Sequence, residues 1–137
     1  MGRRKGVILD THIFVKYVLG HNKMLIGLKK LIDSDTEKYI SAFSIWEIGM
    51  LVSKKRINLS LKIDIWVAKA LEGTGISVIN LDPSIALKST SLKGDFHGDP
   101  ADRIIVATAI EKKLLLLTED KQILAYAKKG YVKAKSI

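Results

Sequence analysis

The sequence contains no cysteine, so disulfide bonds, thiolate chemistry and cysteine-based zinc sites are excluded. No run of residues approaches the ~18 apolar residues that a membrane span requires. The N-terminal segment is basic, but its apolar stretch is too short for a secretory signal, and charge resumes at Asp10. We therefore expect a cytoplasmic protein without a membrane segment.

Acidic residues are also scarce: 14 stand against 23 basic residues, which gives a formal charge of +9. Small basic domains often bind nucleic acids, because neutralising phosphates releases counterions. A solvated, lysine-rich surface explains the same charge without any partner. The chain has 137 residues and is 47% hydrophobic, which predicts one domain over residues 1–137 with a substantial core.

Short apolar runs alternate with segments of helical periodicity along the chain. Strands are predicted at 7–9, 39–42, 76–81 and 114–117, with a short edge strand within 131–137. Helices are predicted at 11–19, 23–32, 44–53, 61–71, 82–92, from 100 through at least 110, and from 120 to about 129. This alternation predicts an α/β fold built on a parallel sheet.

The segment from 95 to 109 carries the most specific local signal. Pro100 suits the first position of a helix, so Asp99 falls at the N-cap and Asp102 falls on the first turn. The residues after Asp102 are apolar almost without interruption, which predicts a buried helix. For Asp99 alone, stabilisation of the helix end is a sufficient explanation.

Five acidic residues are expected at one edge of the sheet. Asp10 ends the first strand, Glu47 lies early in a helix that follows the second, and Asp120 follows the fourth. Asp99 and Asp102 open the helix that leads into the fourth strand. Because helix N-termini and the carboxyl ends of parallel strands share one edge, these carboxylates should converge. Their repulsion would be relieved by a divalent cation, and oxygen ligands favour Mg²⁺ or Mn²⁺.

Each of these acids also has a purely structural explanation. Asp10 and Asp120 can cap the helices that follow them. The pattern Ser44-x-x-Glu47 matches a capping box, in which Glu47 would bond back to the N–H of Ser44. The combination of acids from separate segments is more specific than any one of them.

Four segments of the chain resemble those of PIN-domain proteins, especially the VapC-type ribonuclease toxins, in order and position. They are Val7-Ile8-Leu9-Asp10-Thr11, Ser44-x-Trp46-Glu47, His97-x-Asp99-Pro100-x-Asp102-Arg103 and Leu117-Thr118-x-Asp120. The resemblance implies a three-layer α/β/α sandwich on a short-stranded parallel sheet. It also implies a metal-dependent endoribonuclease that acts as the toxin of a toxin–antitoxin pair.

The resemblance assigns roles to particular residues. Asp10, Glu47, Asp102 and Asp120 match the catalytic, metal-binding acids, which would hold Mg²⁺ or Mn²⁺. Asp99 and Thr118 match supporting positions. An RNA substrate, an antitoxin partner and a homodimer are also implied, with helices 23–32 and 44–71 apolar enough to supply protein contacts.

Other residues are assigned on chemical grounds. The basic connector between two predicted helices is a candidate RNA-binding patch; it comprises Lys54, Lys55 and Arg56. Arg103 is expected to pair with a carboxylate. Trp46 and Trp66 lie on apolar helix faces and are expected in the core or an interface, and His97 is expected to be a solvated loop residue.

Two other functions are compatible with this composition. A non-catalytic basic α/β module could bind RNA or protein, with its acids serving only as helix caps. A metal-dependent phosphohydrolase acting on small molecules leaves the positive charge unexplained. The first motif also carries His12 where a haloacid-dehalogenase-type phosphatase has its second aspartate.

Overall fold

A computed structural model describes residues 6–20, 25–32, 34 and 36–137. Its strands are β1 (Val7–Leu9), β2 (Lys38–Ser41), β3 (Ser77–Ile79), β4 (Leu115–Leu117) and β5 (Ala134–Lys135). Its helices are α1 (Thr11–Leu19), α2 (Leu25–Ile32), α3 (Ala42–Ser53), α4 (Ile63–Thr74), α5 (Pro83–Thr90), α6 (Pro100–Lys112) and α7 (Lys121–Lys128). Among the described helices, none has the length and apolar character needed to cross a bilayer.

The strands form a parallel sheet, which the alternation of strands and helices predicted. The strand order is β3-β2-β1-β4-β5. The central strand β1 is buried throughout, and Ile8 is in register with Tyr39 of β2 and Leu116 of β4. Burial on both faces explains why β1 is a continuous apolar run rather than an alternating one.

Helices cover both faces of the sheet and create two hydrophobic clusters. On one face, Val7 and Leu9 pack with residues of α1, α3 and α4, including Phe14 and Trp66. On the other face, Ile8 packs with residues of α6 and α7, including Ile105. The predicted three-layer α/β/α sandwich is therefore confirmed.

Several predicted boundaries were wrong. The helix α3 begins at Ala42 rather than at 44, because Ser41 is its N-cap and accepts from the N–H of Phe43. The helix α4 runs through Gly73 and ends at Thr74, and its C-cap Gly75 adopts the left-handed conformation with φ of 69°. Strand β3 is shorter than predicted and α5 ends at Thr90. The predicted helix over 23–32 is confirmed for Leu25–Ile32, and residues 23 and 24 lie outside the described part.

The connections that follow β1, β2 and β4 all lead directly into helix N-termini. Asp10 caps α1 after β1, Ser41 caps α3 after β2, and Asp120 caps α7 after β4. Asp99 caps α6, whose C-terminal end leads into β4. Because the strands are parallel, these caps gather at the carboxyl edge of the sheet, where parallel α/β folds bind ligands.

Candidate active site

Asp10 lies at the end of the central strand and is only 5% exposed. One carboxylate oxygen accepts from the N–H of Thr11 at 2.8 Å, and the other accepts from the hydroxyl of Thr118 at 2.7 Å. Burial raises the pKa of Asp10 above its ordinary value, and the nearby charge of Asp120 adds to that effect, although the two hydrogen bonds oppose it. A buried carboxylate thus stands at the centre of the sheet edge.

Glu47 turns toward Asp10 instead of capping its own helix. Its Oε1 accepts from the hydroxyl of Thr11 at 2.5 Å, and the same hydroxyl is hydrogen-bonded to Ser44 Oγ at 2.8 Å. The predicted capping box was therefore wrong, since Ser44 lies inside α3 and Ser41 caps it. Burial raises the pKa of Glu47, and the charges of Asp10 and Asp99 raise it further.

Asp102 is the most strongly perturbed acid of the site. Burial first, and then the charges of Asp99, Asp10, Asp120 and Glu47, raise its pKa to about 7. Four carboxylates therefore act on this one side chain. Asp10, Glu47, Asp99, Asp102 and Asp120 are close enough to influence one another, and we call them the acid cluster.

Asp99 has the capping role that its position predicted. Its Oδ1 accepts from the N–H of Asp102 at 2.9 Å. The residue before it, Gly98, has no room for a side chain: a Cβ there would lie 2.9 Å from the Cβ of Asp102 and collide with the ring of Phe96. The chain therefore enters α6 through a closely packed turn that fixes the backbone beside two members of the acid cluster.

Thr118 connects the acids of two neighbouring strands. Its hydroxyl donates to Asp10, as described above, and accepts from the N–H of Asp120 at 3.0 Å. Asp120 in turn caps α7, with Oδ1 accepting from the N–H of Ile123 at 2.9 Å. Thr118 is fully buried, so this link between Asp10 and Asp120 is sheltered from water.

The donor set fits a hard divalent cation in its chemistry. All five members of the acid cluster supply carboxylate oxygens, which Mg²⁺ and Mn²⁺ prefer, and a cation would relieve the mutual repulsion that raises the pKa of Asp102. Within the described ranges, no group of three or more His, Asp and Glu side chains is already arranged as a ligand set. The fit is therefore one of donor type and charge.

Sequence reasoning missed two residues that border the acid cluster. Thr11 is buried and its hydroxyl donates to Glu47, although no role in the site was predicted for it from the sequence. His12 is exposed, and its charge lowers the pKa of both Asp10 and Glu47. Their position gave a signal, because the first residues after a cap at the carboxyl edge must lie beside the site.

Among the described residues Arg103 pairs with no carboxylate, contrary to the prediction. Its Nε donates to the carbonyl of Ser89 at 2.9 Å, and its Nη1 donates to the carbonyl of Phe96 at 2.7 Å. The hydroxyl of Tyr126 donates to the carbonyl of Lys93 in the same segment. Arg103 and Tyr126, which we call the loop anchor, thus hold the irregular chain that leads to Asp99.

The two tryptophans have different environments. Trp66 is 6% exposed and its ring packs edge-on against Phe14 at 6.2 Å, so its predicted core position is confirmed. Trp46 is 55% exposed and its ring centre lies 4.9 Å from that of Phe43. Trp46 is therefore a surface residue, located immediately before Glu47. His97 is exposed in its loop, as expected.

The candidate RNA patch forms an exposed turn at the C-terminal end of α3. Lys54 is the C-cap of the helix, and Lys55 adopts a positive φ of 57°. The side chains of Lys54, Lys55 and Arg56 are all exposed. We call these three residues the basic turn; it follows the C-terminal end of α3, about two helical turns beyond Glu47.

Comparison with known proteins agrees with this architecture. The profile of the PIN domain family matches residues 7–129. This chain belongs to the PIN domain family. The relative Ribonuclease VapC22 of Mycobacterium tuberculosis is 30% identical over 117 residues, which cover 85% of this chain and 88% of the relative. The predicted family resemblance is confirmed.

Solved structures share the PIN fold along most of their length. VapBC2 of Rickettsia felis, bound to a promoter DNA fragment, matches with a TM-score of 0.69 and 19% identity over 95% of this chain and 97% of that one. DNA-bound VapBC of Salmonella typhimurium matches with a TM-score of 0.68 and 14% identity, and the match covers 96% of this chain and 98% of that one. VapBC-1 of nontypeable Haemophilus influenzae matches with a TM-score of 0.65 and 16% identity, and the match covers 95% of this chain and 96% of that one. At these identities, the likeness establishes the fold.

Proposed function

We propose that this PIN-domain protein is a metal-dependent endoribonuclease and the toxin of a toxin–antitoxin pair. The observation that carries the proposal is the convergence of carboxylates from separate segments on Asp102, whose pKa they help to raise to about 7. Such a cluster is costly in a protein that has no use for it. The relative is a ribonuclease by name, and the likeness covers most of both chains.

Four acids of the cluster would hold Mg²⁺ or Mn²⁺: Asp10, Glu47, Asp102 and Asp120. When bound, the ion would activate water and offset the charge that develops on the phosphate during attack. The protein's part is orientation. Thr118 fixes one oxygen of Asp10, and Thr11 fixes Oε1 of Glu47. Asp99 caps α6, so that Asp102 stays on a defined first turn.

Asp102 makes the proposed activity dependent on pH. A carboxylate with a pKa of about 7 is largely protonated below neutrality, and a proton on it competes with a metal ion. Metal binding and cleavage should therefore weaken as the pH falls below about 7 and strengthen above it.

The net charge and the matched structures support a proposal for the substrate and the partners. A body with a charge of +9 attracts a phosphate backbone toward an acidic site, and we propose the basic turn as one contact. One matched structure is a toxin–antitoxin complex from Klebsiella pneumoniae, and another, VapBC-5 from Mycobacterium tuberculosis, belongs to a family of toxin–antitoxin systems. We therefore propose an antitoxin partner and a homodimer for this chain, with its RNA target in the cytoplasm.

An RNA cleavage assay with a matched pair of variants tests the proposal. Excess chelator should abolish cleavage, and added Mg²⁺ or Mn²⁺ should restore it. Asp102→Asn should remove most activity in the presence of metal. Asp64→Asn is the control, because Asp64 is an exposed acid on the first turn of α4 and should leave activity unchanged.

A non-catalytic RNA- or protein-binding module is the second candidate. It is favoured by the capping bonds of Asp10, Asp99 and Asp120, which give each of these acids a structural role. It predicts no cleavage under any metal condition. Cleavage that persists in excess chelator would contradict the metal mechanism, and absence of cleavage with every metal would favour this second candidate.

A further inference from the structure

The helix α3 exposes an aromatic face that its composition would not predict. Its sequence is apolar at nearly every position, and such a helix is normally buried all round. Its core side is occupied by Ser44 and Ile48, which are fully buried. Trp46 lies on the opposite side of the helix at 100° per residue, and more than half of its surface is exposed.

The exposed ring of Trp46 packs against a second aromatic ring. Phe43, one turn earlier, lies with its ring centre 4.9 Å away and its plane tilted by 46°. This neighbour restrains the indole while leaving much of it accessible to solvent. A restrained, accessible indole is the kind of surface on which nucleic acid bases stack.

Trp46 is adjacent in sequence to one member of the acid cluster and lies about two helical turns before the basic turn. Glu47, the next residue, belongs to the acid cluster through its contact with Thr11. Eight residues separate Trp46 from Lys54, so the basic turn begins about 12 Å along the helix axis. That distance corresponds to roughly three or four nucleotides of a stacked strand at about 3.4 Å each.

We propose that Trp46, supported by Phe43, is a stacking platform for a base of single-stranded RNA next to the cleavage site. The RNA backbone would run from the acid cluster toward the basic turn. This inference rests on the proposed function and adds a base-contacting residue to its site. A base must be unstacked from its own helix to lie on an aromatic ring, so a paired duplex would not use this platform.

Charge favours RNA over a protein as the occupant of this face. The turn that ends α3 presents Lys54, Lys55 and Arg56 to solvent, and Lys62 is exposed just before α4. A polyphosphate chain complements those cations directly, and each base adds a flat surface for the indole. An apolar protein surface would cover Trp46 but would gain nothing from the basic turn.

RNA binding measured in excess chelator tests this inference separately from metal-dependent cleavage. The wild type, Trp46→Leu and Trp46→Phe are titrated with a short oligoadenylate and, separately, with inorganic polyphosphate. Loss of one stacked base should weaken oligoadenylate binding about 5- to 150-fold in Trp46→Leu, and Trp46→Phe should recover much of it. Polyphosphate binding should be the same in all three proteins, because polyphosphate has no bases.

Tryptophan fluorescence gives a second readout, and another helix gives a control. Oligoadenylate should quench the emission of exposed Trp46 in the wild type, and the quenching should disappear in Trp46→Phe, since Trp66 is buried. Leu87→Ala removes an apolar side chain that is 70% exposed on α5 and should leave RNA binding unchanged.

Three results would overturn the platform. Trp46→Leu could bind oligoadenylate as tightly as the wild type, or lose affinity for polyphosphate to the same extent as for oligoadenylate. Alternatively, it could keep its RNA affinity while losing the dimer or antitoxin binding, measured by light scattering and co-purification, which would make this face a protein interface. A wild type that neither binds nor cleaves RNA would instead refute the proposed function.

Discussion

Replacing Asp102 with asparagine should raise the melting temperature of the protein in chelator at about pH 8, where wild-type Asp102 is ionised. The substitution keeps the shape of the side chain and removes one charge from the acid cluster. In the wild type, burial and four neighbouring carboxylates raise the pKa of Asp102 from 3.8 to about 7. The ionised group is therefore less stable in the folded protein than in the unfolded chain.

The magnitude follows from that pKa change. Taken in full, it corresponds to at most about 4.5 kcal/mol, since each pH unit is worth about 1.4 kcal/mol. Asp102 is only half-buried, so solvent screening reduces the expected cost to about 2 kcal/mol. Loss of a first-turn acid removes about 0.3–1 kcal/mol of helix-dipole stabilisation. The net gain of about 1–2 kcal/mol should raise the melting temperature by about 3–10 °C.

The pH dependence of folding stability independently predicts the direction in which Asp102→Asn changes the melting temperature. A group whose pKa is raised on folding binds more protons in the folded state, so folding stability falls as the pH rises from about 3.8 through about 7. The asparagine variant has no such group. The difference between the two melting temperatures should therefore be small near pH 4, widen toward pH 7 and stay constant above it.

Thermal melts in chelator across that pH range provide the assay, and Asp64→Asn provides the control. Asp64 is also a first-turn acid but is exposed and lies outside the acid cluster, so its replacement should lower the melting temperature slightly. Added Mn²⁺ should raise the wild-type midpoint by mass action and shift Asp102→Asn less. If Asp102→Asn behaves like Asp64→Asn, and Mn²⁺ shifts neither the wild type nor Asp102→Asn, the metal-site interpretation fails.

Two further predictions concern the basic turn and the loop anchor. Replacing Lys54, Lys55 and Arg56 together with alanine should weaken single-stranded RNA binding and reduce the slope of log affinity against log salt by about 2, because each phosphate contact contributes about 0.7; an unchanged slope would place the contacts elsewhere. Tyr126→Phe removes the bond to the carbonyl of Lys93 and should lower kcat more than it alters KM, because the chain leading to the acid cluster loses a support. Tyr131→Phe is the matched control, since Tyr131 stacks on Tyr126 but its hydroxyl makes no hydrogen bond to another described residue. Equal kcat values in the two variants would show that the loop anchor does not position the site.

The location of the acid cluster was predictable because it depends on chain topology. A parallel sheet brings every strand end and the following helix start to one edge, whatever the details of packing. Asp10 and Asp120 follow their strands so closely that boundary errors of a residue or two do not move them. The clustering of carboxylates is thus encoded in the order of elements rather than in any one motif.

The partner of each polar side chain was not predictable in the same way. Ser41 and Ser44 are both suitable caps for α3, and the register of β2 against its neighbours decides in favour of Ser41. Arg103 binds backbone carbonyls, which every residue carries, so the sequence gives no signal for them. The exposure of Trp46 was not predictable because α3 has almost no polar positions to reveal its solvent side.

Helix capping explains part of the acid cluster and leaves the rest unexplained. Asp10, Asp99 and Asp120 each accept from a backbone N–H at the start of a helix, so their presence alone does not require a metal. Glu47 lies in the interior of α3 and caps nothing, and within the described part the carboxylate of Asp102 accepts no hydrogen bond. Among the described residues neither acid caps a helix, so capping does not explain their charge. Both have a raised pKa, and a cation at the sheet edge would stabilise both at once.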